Sequence, residues 1–179
     1  TVEELRRGAA MARELAIPLV SNQPQYNMLW RVVEPEIVPA CQELGITQIV
    51  WSPLAQGVLS GKYSNVGSSA RSGRFVGDDG ELVRRHPYMS PTVLERVSDV
   101  SKIAAEAGVS MAAFALAWVL SRPNVSSAIV GASRPEQLSA NVDAIGREID
   151  PALFARADRV LGDAVERDPS RVESFLTRP

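Results

Sequence analysis

Three short apolar segments, Pro18–Asn22, Thr47–Trp51 and Ser126–Val130, alternate with longer stretches of helical period. Strands alternating with helices predict βαβ units and parallel pairing, because a parallel partner is reached only through a long crossover. The helical stretches carry their own start and stop signals. Thr1-Val2-Glu3-Glu4 reads as a capping box, and Leu5, Ala9, Ala12 and Leu15 follow on one stripe that Gly8 weakens. Glu34 to Leu44 places Ile37, Val38, Cys41 and Leu44 on one face, with Gly45 suited to the C-terminal turn. Ser90-Pro91 opens a helix to about Ala107, and Ser110 caps an apolar helix to Leu120 that ends before Pro123. Pro135 to Ala144 reads as helix, and Asp150-Pro151 begins a last one with Leu153, Phe154, Ala157 and Leu161 as its stripe.

In a parallel sheet the loops leaving the carboxyl ends of the strands are where ligands sit. The most informative such exit is Ile49-Val50-Trp51-Ser52-Pro53-Leu54-Ala55-Gln56-Gly57-Val58-Leu59-Ser60-Gly61-Lys62-Tyr63. Pro53 stops the strand, Gly57 and Gly61 permit tight turns or close approach to a ligand, and Lys62 offers a cation. From Ser64 to Met89 neither period persists, which marks a long functional loop.

Bulk properties narrow the classes. With 179 residues, 45% hydrophobic and 22% charged, the chain suits one globular domain. A net charge of -2 with scattered Lys and Arg argues against nucleic acid as a partner. No apolar run approaches the ~20 residues of a membrane-spanning helix. One cysteine, Cys41, and one histidine, His86, argue against a metal site, and no export signal is visible, so the cytoplasm is the expected location.

Three blocks together resemble the aldo-keto reductases. Trp51-Ser52-Pro53-Leu54-Ala55-Gln56-Gly57 with Gly61-Lys62-Tyr63 is similar to the family's seventh strand and following loop. Asn22-Gln23-Pro24-Gln25-Tyr26-Asn27-Met28-Leu29 resembles the sixth strand and its exit. Ile129-Val130-Gly131-Ala132-Ser133-Arg134-Pro135-Glu136-Gln137-Leu138, with Asn141 beyond it, resembles the eighth strand and the start of the last barrel helix. The Trp51-Ser52-Pro53-Leu54 and Tyr26-Asn27-Met28 blocks are also similar to the β subunits of voltage-gated potassium channels, which share the fold and bind NADP(H). The resemblance implies the C-terminal part of a (β/α)8 TIM barrel, with about three parallel strands and surrounding helices over 1–165 and a polar tail over 166–179. A complete barrel of this kind runs to about 250 residues. The expected N-terminal half, on which the family carries its catalytic Tyr, Lys, Asp and His, falls outside this sequence. No residue here is therefore a catalytic candidate, and Tyr26, Tyr63, Tyr88 and His86 are not promoted to that role. A missing segment or a partner chain is expected to close the barrel.

The resemblance also assigns a cofactor, NADPH. Read alone, Trp51 is either a core aromatic or a flat ring for stacking, and relatives stack an aromatic here on nicotinamide. Gln23 either caps its own strand or holds a carboxamide, as its counterpart in relatives does. Ser52, Leu54, Gln56 and Lys62 fall where the family's loop approaches the pyrophosphate; the alternative for Lys62 is a solvated surface charge. Gly131, Ser133 and Arg134 open a helix, where Ser133 is either an N-cap or, with Arg134, a phosphate site selecting NADP(H). Gln137 and Asn141 lie one and two turns on, at positions relatives place around the adenine. Arg71 resembles a further phosphate-binding arginine, with Arg74 as competitor. No GxGxxG follows a strand, so a Rossmann site is not expected. The leading reading is an NADPH-dependent oxidoreductase that reduces a small aldehyde or ketone. The alternatives are a non-catalytic NADP(H)-binding regulatory or redox-sensing subunit and a truncated pseudoenzyme.

Overall fold

The computed structural model describes residues 1–63, 87–142 and 145–172. Helix α1 (Val2–Glu14) starts with the predicted capping box: the Glu4 N–H donates to Thr1 Oγ1 and the Glu4 carboxylate accepts from Thr1. Its stripe is only partly used, since Ala9 is buried but Leu15, the C-cap, is 65% exposed. The first predicted strand shrinks to β1 (Ser21–Asn22), because Pro18 has no N–H to donate and Leu19 and Val20 remain exposed. Helix α2 (Ile37–Leu44) begins three residues later than Glu34, whose carboxylate is engaged by Arg31 and Tyr26; Gly45, at φ 71°, closes it as expected.

Strand β2 (Thr47–Trp51) has the predicted bounds, and β3 (Val125–Ile129) starts one residue before Ser126. Between them lie a 3-10 turn (Ala55–Ser60), helix α3 (Pro91–Glu106), capped by Ser90, and helix α4 (Met111–Leu120), capped by Ser110. Helices α5 (Pro135–Val142) and α6 (Pro151–Leu161, capped by Asp150) follow β3. Asp143 and Ala144, the last residues of the predicted α5, lie outside the described residues.

The three strands form one parallel sheet in the order β1-β2-β3. Between β2 and β3 the register shifts at Gln48/Ile49, and side chains bolt the start of the pair: Thr47 Oγ1 donates to the Asn124 carbonyl and Asn124 Nδ2 to the Ile46 carbonyl. Helices cover one face of the sheet, where Gln48 and Val50 are fully buried. The other face carries Trp51 beside Ile129, both exposed. Parallel sheets are stable when both faces are buried, so an open face and, among the described residues, two unpaired edges describe a section of a (β/α)8 barrel. Leu15, Ile17 and Val20 near the β1 edge, and Leu138, Val142 and Ile145 beyond β3, are exposed apolar side chains flanking that opening.

The core lies on the covered side. Helix α4 is apolar all round and nearly wholly buried, with Phe114 against Phe154 of α6 at 5.0 Å between ring centroids. Glu166 ties the end of the described chain to the segment after β1, through Glu166 N to the Leu29 carbonyl and Arg31 N to the Glu166 carbonyl.

Candidate functional site

Parallel strands point their carboxyl ends to one edge, and there the structure gathers the exits of all three. Gln23 follows β1 and is exposed; Trp51 ends β2 and is 37% exposed; Gly131, Ser133 and Arg134 follow β3 and are all exposed. Trp51 lies on the open face of the sheet, the face that a closed barrel would enclose. Its backbone is nonetheless held firmly, for Trp51 N donates to the Pro24 carbonyl and the Trp51 carbonyl accepts from Tyr26 N. The backbone that carries the ring is therefore fixed on both sides.

Beyond Trp51 the chain turns through left-handed backbone at Ser52 (φ 52°), Ala55 (φ 46°), Gln56 (φ 55°) and Gly57 (φ 99°). Non-glycine residues rarely adopt such angles, so surrounding contacts must hold them. Val58 and Leu59 anchor the turn in the core, while Leu54 packs with Ala113 and Leu116 of α4, as Val130 after β3 does. One helix thus braces two of the three exits. A Cβ on Gly57 would meet Lys62 Nζ at 2.9 Å, so the ammonium folds back over this glycine, 5.0 Å from the Tyr63 ring centroid. Lys62 and Gln56 occupy the same turn as Ser52 and Leu54.

At the start of α5, Ser133 N and Ser133 Oγ both donate to Gln137 Oε1, at 2.9 and 3.1 Å. Ser133 is thus a donor to a side-chain oxygen. Arg134 is exposed beside it, and Asn141, on the same helix, is buried at 8% exposure. Arg71 and Arg74 lie outside the described residues. A groove of about 860 Å³ runs between α1 and the β1 edge, lined by Met11, Leu19, Asn22, Gln23, Gln25 and Trp51 among others.

Two polar clusters support the exits from behind. Asn27, fully buried, donates from Nδ2 to the Ser52 carbonyl at 2.9 Å and accepts at Oδ1 from Leu29 N and Trp30 N. Gln25 Nε2 donates to the Tyr88 hydroxyl at 2.9 Å; burial pushes the Tyr88 phenol up to about 12. Deeper, Arg31 bonds Glu34 and Asp158, Asp158 accepts from the Trp118 indole N–H at 3.0 Å, and Arg31 and Arg122 sit 5.0 and 4.5 Å from the Trp118 ring centroid. Burial and the Glu34 carboxylate together raise the Tyr26 phenol far above its ordinary range. Sequence reasoning missed Asn27, Tyr88 and Asp158 as supports. Only a strand-exit Asn, a residue type that bonds nearby backbone, offered a signal.

Residues 2–161 match the family model described as the aldo/keto reductase family. The chain belongs to that family. Among curated aldo/keto reductase relatives it is 38% identical over 169 residues to a probable voltage-gated potassium channel subunit beta of Arabidopsis thaliana, covering 94% of this chain and 50% of that protein. It is 38% identical over 147 residues to a putative voltage-gated potassium channel subunit beta of Schizosaccharomyces pombe, covering 79% and 42%. It is 36% identical over 147 residues to the L-glyceraldehyde 3-phosphate reductase of Escherichia coli K12, covering 80% and 41%. The chain spans about half the length of these relatives, in keeping with the open aldo/keto reductase sheet.

Proposed function

We propose that these residues form the NADP(H)-holding part of an aldo/keto reductase that reduces an aldehyde or ketone to an alcohol. The observation that carries this reading is the convergence of three strand exits on one edge, bearing an exposed ring, an amide, a folded-back ammonium and a helix start. The donor chemistry fits a phosphorylated dinucleotide. Ser133 N and Oγ already converge on one oxygen, and Arg134 beside them supplies a planar cation. Ser133 and Arg134 would take the 2′-phosphate, Gln137 and Asn141 the adenine end, and Lys62 with the Ser52–Gln56 turn the diphosphate. Gln23 would hold the carboxamide, and Trp51 would present its face to the nicotinamide. When bound, the nicotinamide supplies a hydride to a carbonyl carbon. The residues of this chain bind and orient; the proton comes from elsewhere in the complete protein. Tyr26, Tyr63 and Tyr88 are buried, and the Tyr26 hydroxyl is committed to Glu34.

The test is titration of the complete protein with NADPH and NADH, alongside an assay on assorted carbonyls. Arg134→Ala should weaken NADPH roughly tenfold or more, the scale of a charged hydrogen bond, and leave NADH nearly unchanged. Equal loss for both would refute the phosphate assignment. The similarity to potassium-channel β subunits supports a second reading, a nucleotide-sensing regulatory subunit; tight NADPH binding with negligible carbonyl turnover would favour it.

A further inference from the structure

We propose that Asn27 is a positioning residue for the candidate nucleotide site: it holds the strained exit of β2 so that Trp51 and the following turn face the ligand. This inference rests on the NADP(H) reading above. Trp51 is fixed on its strand side by backbone bonds to Pro24 and Tyr26. Past it, Ser52 adopts φ 52°, and the chain reverses. A serine held there leans toward ordinary backbone unless neighbours over-determine it. The Ser52 carbonyl receives two donors, Asn27 Nδ2 at 2.9 Å and Ala55 N at 3.0 Å. The Ala55 bond belongs to the turn itself, so Asn27 supplies the external hold.

Asn27 suits that task because its own geometry is locked. It has 0% exposure, its Oδ1 takes the N–H groups of Leu29 and Trp30 at 2.9 and 3.0 Å, and its backbone exchanges hydrogen bonds with Trp30. The amide thus joins the exits of β1 and β2: one end closes the turn after Tyr26, and the other pins the residue after Trp51. A shift at Ser52 would swing the Trp51 mount and the Leu54–Gln56 turn together. These are the groups assigned to the nicotinamide and the diphosphate.

Asn27→Asp isolates the hold. The acid keeps an oxygen for Leu29 and Trp30, but as a carboxylate it has no hydrogen for the Ser52 carbonyl. The complete protein should then bind NADP+ roughly tenfold more weakly than wild type near pH 8. Without nucleotide, the Ala55 amide should exchange its hydrogen faster, while amides of Met111–Leu120 keep their protection. Near pH 5, where a buried carboxyl regains its proton and can donate, the gap to wild type should narrow. Where Asn27→Asp does not fold, Asn27→Ser serves: its hydroxyl can still cap the local turn but is too short for Ser52. Unchanged NADP+ affinity, or unchanged Ala55 exchange, would overturn the proposal. Faster exchange throughout α4 would do so too, since it would make Asn27 a general support. If wild type itself takes up no NADP+, the nucleotide reading fails and this proposal with it, whatever Asn27 does to the turn.

Discussion

Asp158 holds together the cluster behind the strand exits, and its loss should be felt in stability. One carboxylate oxygen, Oδ1, accepts from Arg31 NH1 at 2.9 Å and from the Trp118 indole N–H at 3.0 Å. In Asp158→Ala the indole N–H, in a side chain with 0% exposure, loses its acceptor, which costs about 1–3 kcal/mol. Arg31, whose side chain is 12% exposed, keeps Glu34 but loses its second carboxylate. That adds about 1 kcal/mol, well below the cost of a fully buried pair because Asp158 is itself a quarter exposed. The total is about 3 kcal/mol. Asp158→Asn keeps an oxygen for Trp118 and sheds only the charge, so it should cost about half as much. Urea unfolding of the complete protein, with slopes checked for constancy, measures both. A loss under about 1 kcal/mol for Asp158→Ala would refute the role given to the cluster, as would equal losses for the two variants.

Trp51→Ala should loosen NADP+ roughly tenfold while leaving unfolding free energy within about 1 kcal/mol, because the proposed site makes the ring a ligand surface rather than core; wholesale unfolding on this change would show a core role. Tyr88 gives a pH dependence. Its phenol is raised to about 12, chiefly by burial, while an unfolded tyrosine ionises near 10, so its contribution is intact below about pH 10 and fades as pH rises toward 12, by up to roughly 3 kcal/mol. Urea unfolding near pH 8 and pH 11 should therefore show a shallower alkaline loss for Tyr88→Phe than for wild type, and parallel losses would count against the burial argument.

Much of the architecture is legible in the sequence because local chemistry decides it. Thr1 with Glu4, Ser90 before Pro91, Ser110, and Asp150 before Pro151 all cap helices where capping rules put them, and Gly45 closes α2 in left-handed backbone. Strand β2 can be read to the residue because Pro53 stops it. Strand β1 is shorter than its pattern suggests: its apolar residues Leu19 and Val20 resemble a strand, but among the described residues only β2 is paired with it, so the ladder is two residues long. Helix α2 starts later than its period suggests because Glu34 is held by Arg31 and Tyr26, a tertiary competition that helix period does not register.

The site divides in the same way. Glycines, the strand-end tryptophan and the Ser133-Arg134 helix start advertise themselves by residue type, and topology alone brings them to one edge. The supports do not. Asn27, Tyr88 and Asp158 act across separations of 25, 63 and 127 residues, through single hydrogen bonds that leave no period or spacing. The role of Trp51 is undecided in sequence because the same ring serves core or ligand; nucleotide titration and unfolding of Trp51→Ala separate the two.

The measurement that bears most directly on the account is a crystal structure of the complete protein grown with NADP+. One nucleotide should lie along the carboxyl edge, its nicotinamide against Trp51 with Gln23 at the carboxamide, and its 2′-phosphate on Ser133 and Arg134. A nucleotide bound elsewhere, or one touching a single strand exit while the other two stay clear of it, would contradict it.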